Sequence, residues 1–249
     1  MLMTMINFKE KLKGLFKSVK DGYFNEKWTC NGCSNENFTG GYFCQKCQES
    51  LPVISQDFCE HCGRKTPFPT AFCNSCIEKN INFEKARSLY EYKEPINNLL
   101  RNFKYDGDKY IANIFVKDLA NKFYENFSDA DFFTAIPMTS ERLKSRGYNQ
   151  SFILADKLSK YTKIPCVSAL IKVKDTERQA TLSADERKKN LKGSFKAVKN
   201  LVKDKTVVLV DDVLTTGATA DVCSQILKKA GAKKVYVLTV ATVTLNKML

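Results

Sequence analysis

Residues 206–219 read Thr-Val-Val-Leu-Val-Asp-Asp-Val-Leu-Thr-Thr-Gly-Ala-Thr. The run 206–210 is short, apolar and β-branched, which predicts a buried strand. Asp211 and Asp212 follow it, and two adjacent carboxylates at the end of a buried strand are costly unless a ligand, a metal or hydrogen-bond donors meet them. Small and hydroxyl-bearing residues then open a helix, whose free N–H groups and positive dipole end suit a phosphate. The segment therefore predicts a sugar-phosphate site, and simple helix capping is the alternative.

The strand at 206–210 is one of several that alternate with helices from about residue 84 onward. The other predicted strands are residues 86–92, 132–136, 166–173 and 235–243, and the predicted helices are 95–105, 111–127, 151–161 and 218–230. This alternation predicts an α/β fold with a doubly wound, mostly parallel sheet and helices on both faces. Ligands of such sheets lie at the carboxyl ends of the strands, where the acidic pair stands.

Eight of the ten cysteines form a repeat between residues 28 and 80. Each copy has the spacing C-x2-C-x10-C-x2-C, and the second copy begins 29 residues after the first: Cys30, Cys33, Cys44 and Cys47, then Cys59, Cys62, Cys73 and Cys76. Two closely spaced thiols chelate one ion, and a second pair completes a tetrahedron around it. The repeat predicts two structural Zn²⁺ sites, which supply folding energy that so small a segment lacks.

The ligand pairing stays open at this point, because sequential and interleaved sets have the same spacings. Reduced buried cysteines, or a single occupied site, would also be compatible with the repeat. His61 is expected to be an exposed bystander, since four thiols already complete each site. Cys166 and Cys223 lie in apolar surroundings and are expected in the core.

The chain carries a net charge of +13, and residues 140–205 contain 17 Lys or Arg against 7 Asp or Glu. Such a surplus favours an anionic partner, with a solvated basic surface as the alternative. Residues 1–27 predict a basic amphipathic helix, either docked on the protein or in contact with a membrane surface or nucleic acid. There is no run of 18 apolar residues, so no membrane span is expected. No leader pattern is found either, and a cytoplasmic protein with reduced cysteines is expected.

The segment 207–219 resembles the phosphoribosyl pyrophosphate (PRPP) motif of the type I phosphoribosyltransferases. The resemblance implies that Asp211 and Asp212 bind the ribose hydroxyls and are the candidate catalytic residues. It also implies that the following loop binds the 5′-phosphate, with Mg²⁺ accompanying the pyrophosphate. The loop residues expected to contact PRPP are Leu214, Thr215, Thr216, Gly217, Ala218 and Thr219.

Two further stretches narrow the resemblance. One is residues 136–138 with Arg142, Arg146 and residues 147–150, and the other is residues 175–179 with Leu182, Arg187, Asn190 and Phe195. Together with residues 104–108 and the cysteine pairs, they resemble the amidophosphoribosyltransferase-like competence protein F (ComF) family. The resemblance covers roughly residues 28–243. It implies a zinc-ribbon domain at 28–80, a phosphoribosyltransferase-like domain at 84–249, and action on single-stranded DNA during uptake, with a helicase of that pathway as a candidate partner.

Further candidate roles are assigned to side chains in these stretches. The guanidinium groups of Arg142 and Arg146 suit a diphosphate, and Lys172 is a further candidate. Residues 174–192 are a candidate mobile flap, and Tyr148 is a candidate for stacking on bases. No motif that reads a purine or pyrimidine is found. A salvage phosphoribosyltransferase and a PRPP sensor without turnover therefore stand as the alternatives to a DNA-uptake protein.

Overall fold

The computed structural model describes residues 28–174, 191 and 193–244. These residues fall into two compact units, one ending at Leu51 and the other beginning at Pro52. The predicted helix at 1–27 and nearly all of the predicted flap lie outside the described residues. The domain boundaries drawn from the sequence stay a prediction. Across the described part of the chain, no helix combines the length and the apolar character that a membrane span requires.

A four-stranded sheet forms the centre of the second unit. The strands of this unit are β1 (Lys85–Glu91), β2 (Phe132–Ala135), β3 (Leu170–Lys172), β4 (Phe195–Ala197), β5 (Thr206–Leu214) and β6 (Lys234–Thr242). The sheet has the order β1-β6-β5-β2, and each neighbouring pair is parallel. Its strands are buried almost throughout, as is typical of a parallel sheet covered on both faces.

Helices cover both faces of this sheet, which confirms the predicted fold class. The helices are α1 (Gln45–Glu49) in the first unit, then α2 (Asn74–Glu78), α3 (Ile96–Tyr105), α4 (Ile111–Asn126), α5 (Ser140–Arg146), α6 (Gln150–Thr162), α7 (Lys199–Val202) and α8 (Ala218–Lys229) in the second. Residues of α8 share a core cluster with Phe132, Val207 and Leu209. The adjacent Phe133 points to the other face, where its ring lies 4.9 Å from that of Phe123 in α4.

Two predicted strands differ in extent from the observed ones. Only the end of the segment 166–173 forms a strand, β3, and it pairs antiparallel with β4 outside the main sheet. Cys166 makes a single bridge to Phe133. The strand predicted at 206–210 instead continues through the acidic pair to Leu214, because its pairing with β6 continues to Thr242. The two carboxylates break the apolar pattern but not the backbone ladder.

Helix α5 was not expected, because it has no apolar stripe and no buried residue. Its ends explain why it forms. The hydroxyl of Thr139 accepts a hydrogen bond from the N–H of Arg142 at 3.3 Å, and Gly147 ends the helix in the left-handed conformation with φ of 76°. Capping at both ends therefore stabilises a helix that has no buried face.

The cysteine repeat is also a structural repeat. An antiparallel bridge joins Thr29 to Glu36 in the first copy, and the equivalent bridge joins Phe58 to Lys65 in the second. In each copy the N–H of the third cysteine donates to the sulfur of the first at 3.2 Å. The two copies differ in their surroundings, because all four cysteines of the second belong to a core cluster that includes Ala86 of β1 and residues of α8.

Gly63 fixes how the second module packs on the sheet. It has a φ of +68°, and a Cβ at this position would lie 2.5 Å from the carbonyl oxygen of Ala86 in β1. The N–H of Ala86 donates to the carbonyl of His61 at 2.7 Å. The turn of the module is therefore in direct backbone contact with the edge of the sheet.

We expect Gly63→Ala to destabilise the protein by about 3 kcal/mol, from left-handed strain plus displacement of β1. Gly107→Ala is the matched control, because Gly107 has a φ of +75° and nothing within 4 Å of its Cβ position. The control should lose only about 1 kcal/mol. Urea unfolding of both variants, with zinc present, measures the difference. Equal losses would show that the contact with Ala86 contributes nothing to stability.

Candidate functional site

A pocket of about 260 Å³ opens at the carboxyl ends of β2 and β5. The acidic pair, the loop before α8, helix α5 and strand β3 all contribute to its wall. Nine of the residues predicted from the sequence line it: Asp211, Asp212, Leu214, Thr215, Gly217, Thr219, Arg142, Arg146 and Lys172. The pocket lies where a parallel sheet of this kind binds its ligands.

Thr216 and Ala218, which were also predicted, line a different cavity behind the loop. The hydroxyl of Thr216 accepts a hydrogen bond from the N–H of Ala218 at 3.4 Å. Gly217 stands between them as the N-cap of α8, with a φ of 84° in the left-handed region. The side chains of the loop thus alternate between its two sides, so Thr216 and Ala218 can offer the pocket only their backbone groups.

The acidic pair lies on β5 in an environment that resists its double ionisation. Burial and the neighbouring charge of Asp212 raise the pKa of Asp211 to about 7. The Asp211 carboxylate accepts from the hydroxyl of Ser151 at 2.6 Å and from the N–H of Asp212 at 2.9 Å. These donors favour its charged form but do not outweigh burial.

Lys104, in the last turn of α3, forms an ion pair with the buried carboxylate of Asp212. Burial opposes the charge of Lys104, but the attraction of Asp212 and Asp211 outweighs it, so the pKa of Lys104 is raised. Sequence reasoning did not assign Lys104 or Ser151 to the site. Lys104 belongs to the segment 104–108 that carried the resemblance, and this was the one signal that pointed to it.

Helix α5 presents its arginines at the rim of the pocket. The Cζ atom of Arg146 lies 5.1 Å from the centre of the ring of Tyr105, a residue that is 68% exposed. Tyr148, predicted to stack on bases, is instead buried, and its hydroxyl donates to the carbonyl of Phe103. That prediction was wrong because the ring packs into the core, 5.8 Å from the ring of Phe103 in α3. Tyr105 is the exposed aromatic beside Arg146.

Asn149 and Gln150 have structural contacts. The side-chain oxygen of Asn149 accepts from the N–H of Phe152 at 3.3 Å and caps α6. Its amide nitrogen donates to the carbonyl of Ile136 at 3.0 Å, which ties the end of β2 to the start of α6. Gln150 is buried and donates to the carbonyl of Phe103 at 3.3 Å. Both residues hold the walls of the pocket in place.

The eight repeat cysteines form two clusters in sequential pairing: Cys30, Cys33, Cys44 and Cys47, then Cys59, Cys62, Cys73 and Cys76. Within each cluster the sulfur atoms all lie within 4.8 Å of one another. Three sulfur pairs in the second cluster lie 3.6 to 3.8 Å apart. Zinc bound tetrahedrally at about 2.3 Å from each sulfur requires edges of about 3.8 Å. The clusters therefore fit Zn²⁺.

The surroundings of the clusters differ. Cys33 of the first cluster is exposed and two of its other members are half-buried, whereas all four members of the second are buried.

His61 belongs to neither cluster. It was expected to be exposed, but its ring lies between those of Phe72 and Phe83, at 5.2 and 5.4 Å. Burial accordingly lowers its pKa.

Comparisons with known proteins agree with this architecture. Residues 26–79 match the family model of the double zinc ribbon domain, and residues 148–246 match that of the phosphoribosyl transferase domain. Competence protein F of Haemophilus influenzae is 31% identical over 228 residues, which are 86% of this chain and 96% of that protein. This chain belongs to the competence protein F family.

Two further relatives are about as similar to this chain. Competence protein ComFC of Bacillus subtilis is 30% identical, over 76% of this chain and 78% of that protein. DNA utilization protein YhgH of Escherichia coli is 28% identical, over 78% of this chain and 87% of that protein. Among solved structures, purine phosphoribosyltransferase from Pyrococcus horikoshii is 25% identical with a TM-score of 0.34, over 53% of this chain and 72% of that one. The allosteric regulatory enzyme of purine biosynthesis is 28% identical with a TM-score of 0.35. That match covers 50% of this chain and 25% of that enzyme.

We expect Asp211→Asn to stabilise the protein more at high pH than at low pH. The folded-state pKa of Asp211 is raised from 3.8 to about 7, so the folded protein binds more protons than the unfolded chain between these values and loses stability as pH rises through them. The substitution removes that loss. Its stabilising effect should be about 2 kcal/mol larger near pH 8 than near pH 5.5.

Asp131→Asn provides the control for this comparison. Hydrogen bonding to the N–H of Thr206 and the nearby Lys205 lower the pKa of Asp131, so its charge does not change in this range. The effect of the control substitution on the free energy of unfolding should not vary with pH. An equally flat profile for Asp211→Asn would contradict the raised pKa.

Proposed function

We propose that this chain binds PRPP as its Mg²⁺ complex and acts on single-stranded DNA during DNA uptake. The observation that carries the first half is the meeting of the acidic pair, part of the loop that precedes α8 and two arginines around one pocket. The pocket contains carboxylates for ribose hydroxyls, backbone N–H groups for a monophosphate and guanidinium groups for a diphosphate. PRPP has a binding group for each of the three: ribose hydroxyls, a 5′-phosphate and a pyrophosphate.

The residues divide the ligand between them. Asp211 and Asp212 bind the two ribose hydroxyls, and residues 214–219 at the start of α8 bind the 5′-phosphate. Arg142, Arg146 and Lys172 meet the pyrophosphate from α5 and β3. Mg²⁺ prefers oxygen ligands and keeps several of its waters, so it would be held chiefly by the pyrophosphate and ribose oxygens. When bound, it neutralises part of the charge on the pyrophosphate.

Lys104 gives the pocket a charge that suits a polyanion. Two uncompensated carboxylates would repel PRPP, but the ion pair between Lys104 and Asp212 reduces their combined negative charge. The raised pKa of Asp211 acts in the same direction, because near neutral pH part of the population carries a proton there. The arginines of α5 then dominate the potential at the rim.

The second half of the proposal rests on the family and on the basic surface. Relatives are named for competence and for DNA utilization. Helix α5 exposes Lys144 beside two half-buried arginines, and the exposed Tyr105 ring lies next to Arg146. Cations for the backbone and an aromatic face for bases are the two components of single-strand binding. We propose a cytoplasmic site of action, with a helicase of the same pathway as the protein partner.

A salvage phosphoribosyltransferase is the second candidate, and the match of residues 148–246 to the phosphoribosyl transferase domain favours it. The two functions differ in what accepts the phosphoribosyl group. The protein is mixed with PRPP, Mg²⁺ and, separately, free bases, amines and single-stranded DNA, while pyrophosphate release is followed. Turnover with a free base or amine would support salvage, whereas DNA-dependent release or none would support DNA uptake.

We expect Asp211→Asn with Asp212→Asn to abolish PRPP binding while zinc content stays unchanged. The double change removes the acceptors for the ribose hydroxyls but lies outside both cysteine clusters. Titration calorimetry with PRPP and Mg²⁺ measures binding, and elemental analysis measures zinc. Asp129→Asn with Asp131→Asn is the matched control, since it removes the same charge from surface ion pairs with Lys234 and Lys205. Retained affinity in the site variant would refute PRPP binding by this pair.

We expect single-stranded DNA to bind with roughly micromolar affinity at low salt and to weaken steeply as salt rises. Replacing Arg142, Lys144 and Arg146 with Gln should reduce the slope of log affinity against log salt by about 2. Replacing the exposed Lys117, Lys229 and Lys233 with Gln removes equal charge outside the basic segment and should have little effect. Gel shifts at several salt concentrations test both. No binding by the wild type at low salt would remove the DNA half of the proposal.

A further inference from the structure

Arg64 of the second zinc module is in contact with the loop that precedes α8. It follows Cys62 by two positions and is 3% exposed. Its Nη2 atom donates to the carbonyl oxygen of Thr215 at 2.7 Å. The same atom lies 3.5 Å from the position that a Cβ of Gly217 would occupy. The guanidinium group thus contacts the loop at two residues that line the pocket.

The backbone of Arg64 is itself fixed by the zinc module. Its carbonyl accepts from the N–H of Cys59 at 2.9 Å, which closes the turn that carries Cys59 and Cys62. Gly63, immediately before it, lies so close to β1 that a Cβ there would meet the carbonyl oxygen of Ala86 at 2.5 Å. The position of the guanidinium group is therefore set by the metal-binding turn on one side and by the sheet on the other.

A second link joins the end of the module to α8. The backbone N–H and the side-chain amide of Asn82 both donate to one carboxylate oxygen of Asp221, at 2.7 and 2.6 Å. Asp221 lies in the first turn of α8, and its N–H donates to the carbonyl of Gly217 at 2.8 Å. Arg64 within the module and Asn82 just after it thus hold the loop near its beginning and at its junction with the helix.

Electrostatic attraction to the metal-binding turn stabilises the buried guanidinium group of Arg64. Four thiolates around Zn²⁺ leave a net negative charge, and a buried guanidinium is stable only with such compensation. Within residues 28–174, 191 and 193–244, the Nε atom of Arg64 has no hydrogen-bond acceptor.

We propose that Arg64 is a positioning residue through which the second zinc module sets the phosphate-binding loop. The peptide that joins Thr215 to Thr216 is trans and planar, so its C=O and N–H groups point in opposite directions. Holding the C=O toward Arg64 turns the N–H of Thr216 away from the module, to the side on which a phosphate binds. The inference about phosphate rests on the proposed PRPP function, but the effect on the loop does not.

The test compares Arg64→Met and Arg64→Lys with Lys65→Met, which removes the neighbouring, half-exposed positive charge without touching the loop. Hydrogen–deuterium exchange of the amides of residues 215–219 is measured without ligand, together with zinc content and PRPP affinity. Arg64→Met should keep wild-type zinc, speed this exchange by about tenfold and weaken PRPP binding by about tenfold, since a charged donor is lost. Arg64→Lys should show a smaller change of the same sign, and Lys65→Met none.

Unchanged loop exchange in Arg64→Met at wild-type zinc content would overturn the proposal. If that variant loses zinc, Arg64→Lys decides, because faster exchange at full zinc content supports the role and wild-type exchange overturns it. Failure of the wild-type chain to bind PRPP would refute the proposed function alone. The exchange comparison would then still decide whether Arg64 positions the loop.

Discussion

Two adjacent carboxylates on an inner strand are the constraint that organises the second unit. β5 lies between β2 and β6, so Asp211 and Asp212 sit where desolvation of a charge is costly. Ser151 of α6 and Lys104 of α3 approach from separate elements to offset that cost. The compensation is incomplete, because the pKa of Asp211 remains near 7. Such residual cost at a pocket is typical of a binding site, where ligand contacts complete what the protein leaves unsatisfied.

The two zinc modules show how one sequence pattern serves two structural purposes. Both have the same spacing, the same bridge and the same N–H to sulfur hydrogen bond. The first keeps one exposed cysteine, whereas the second is buried in a core cluster shared with α8 and β1. Because the second cluster also positions Arg64, its metal site and the pocket belong to one packed structure. The second zinc module therefore stabilises its own small segment and also supports the loop that precedes α8.

The secondary structure followed from the sequence wherever an element carries a clear apolar period. This held for β1, α3, α4, α6, α8 and β6, whose observed ends lie within two residues of the predicted ones. It failed for α5, which is stabilised by its caps and has no buried face. It also failed for residues 166–169, which are mostly apolar yet make only one isolated bridge, from Cys166 to Phe133 of β2. In both cases end groups and neighbouring strands, not periodicity, determined the conformation.

Local patterns in the sequence were enough to predict both candidate sites. Chelating cysteine pairs, and a strand followed by two aspartates and a small-residue loop, are local patterns whose geometry is set within a few residues. The folded chain was needed to show that Lys104 pairs with Asp212, that Tyr148 is buried, and that Arg64 contacts Thr215 across 151 positions. Such contacts join residues that are distant in the chain, and no periodic pattern in the sequence indicates them. They arise when packing brings separate elements together around the carboxyl end of β5.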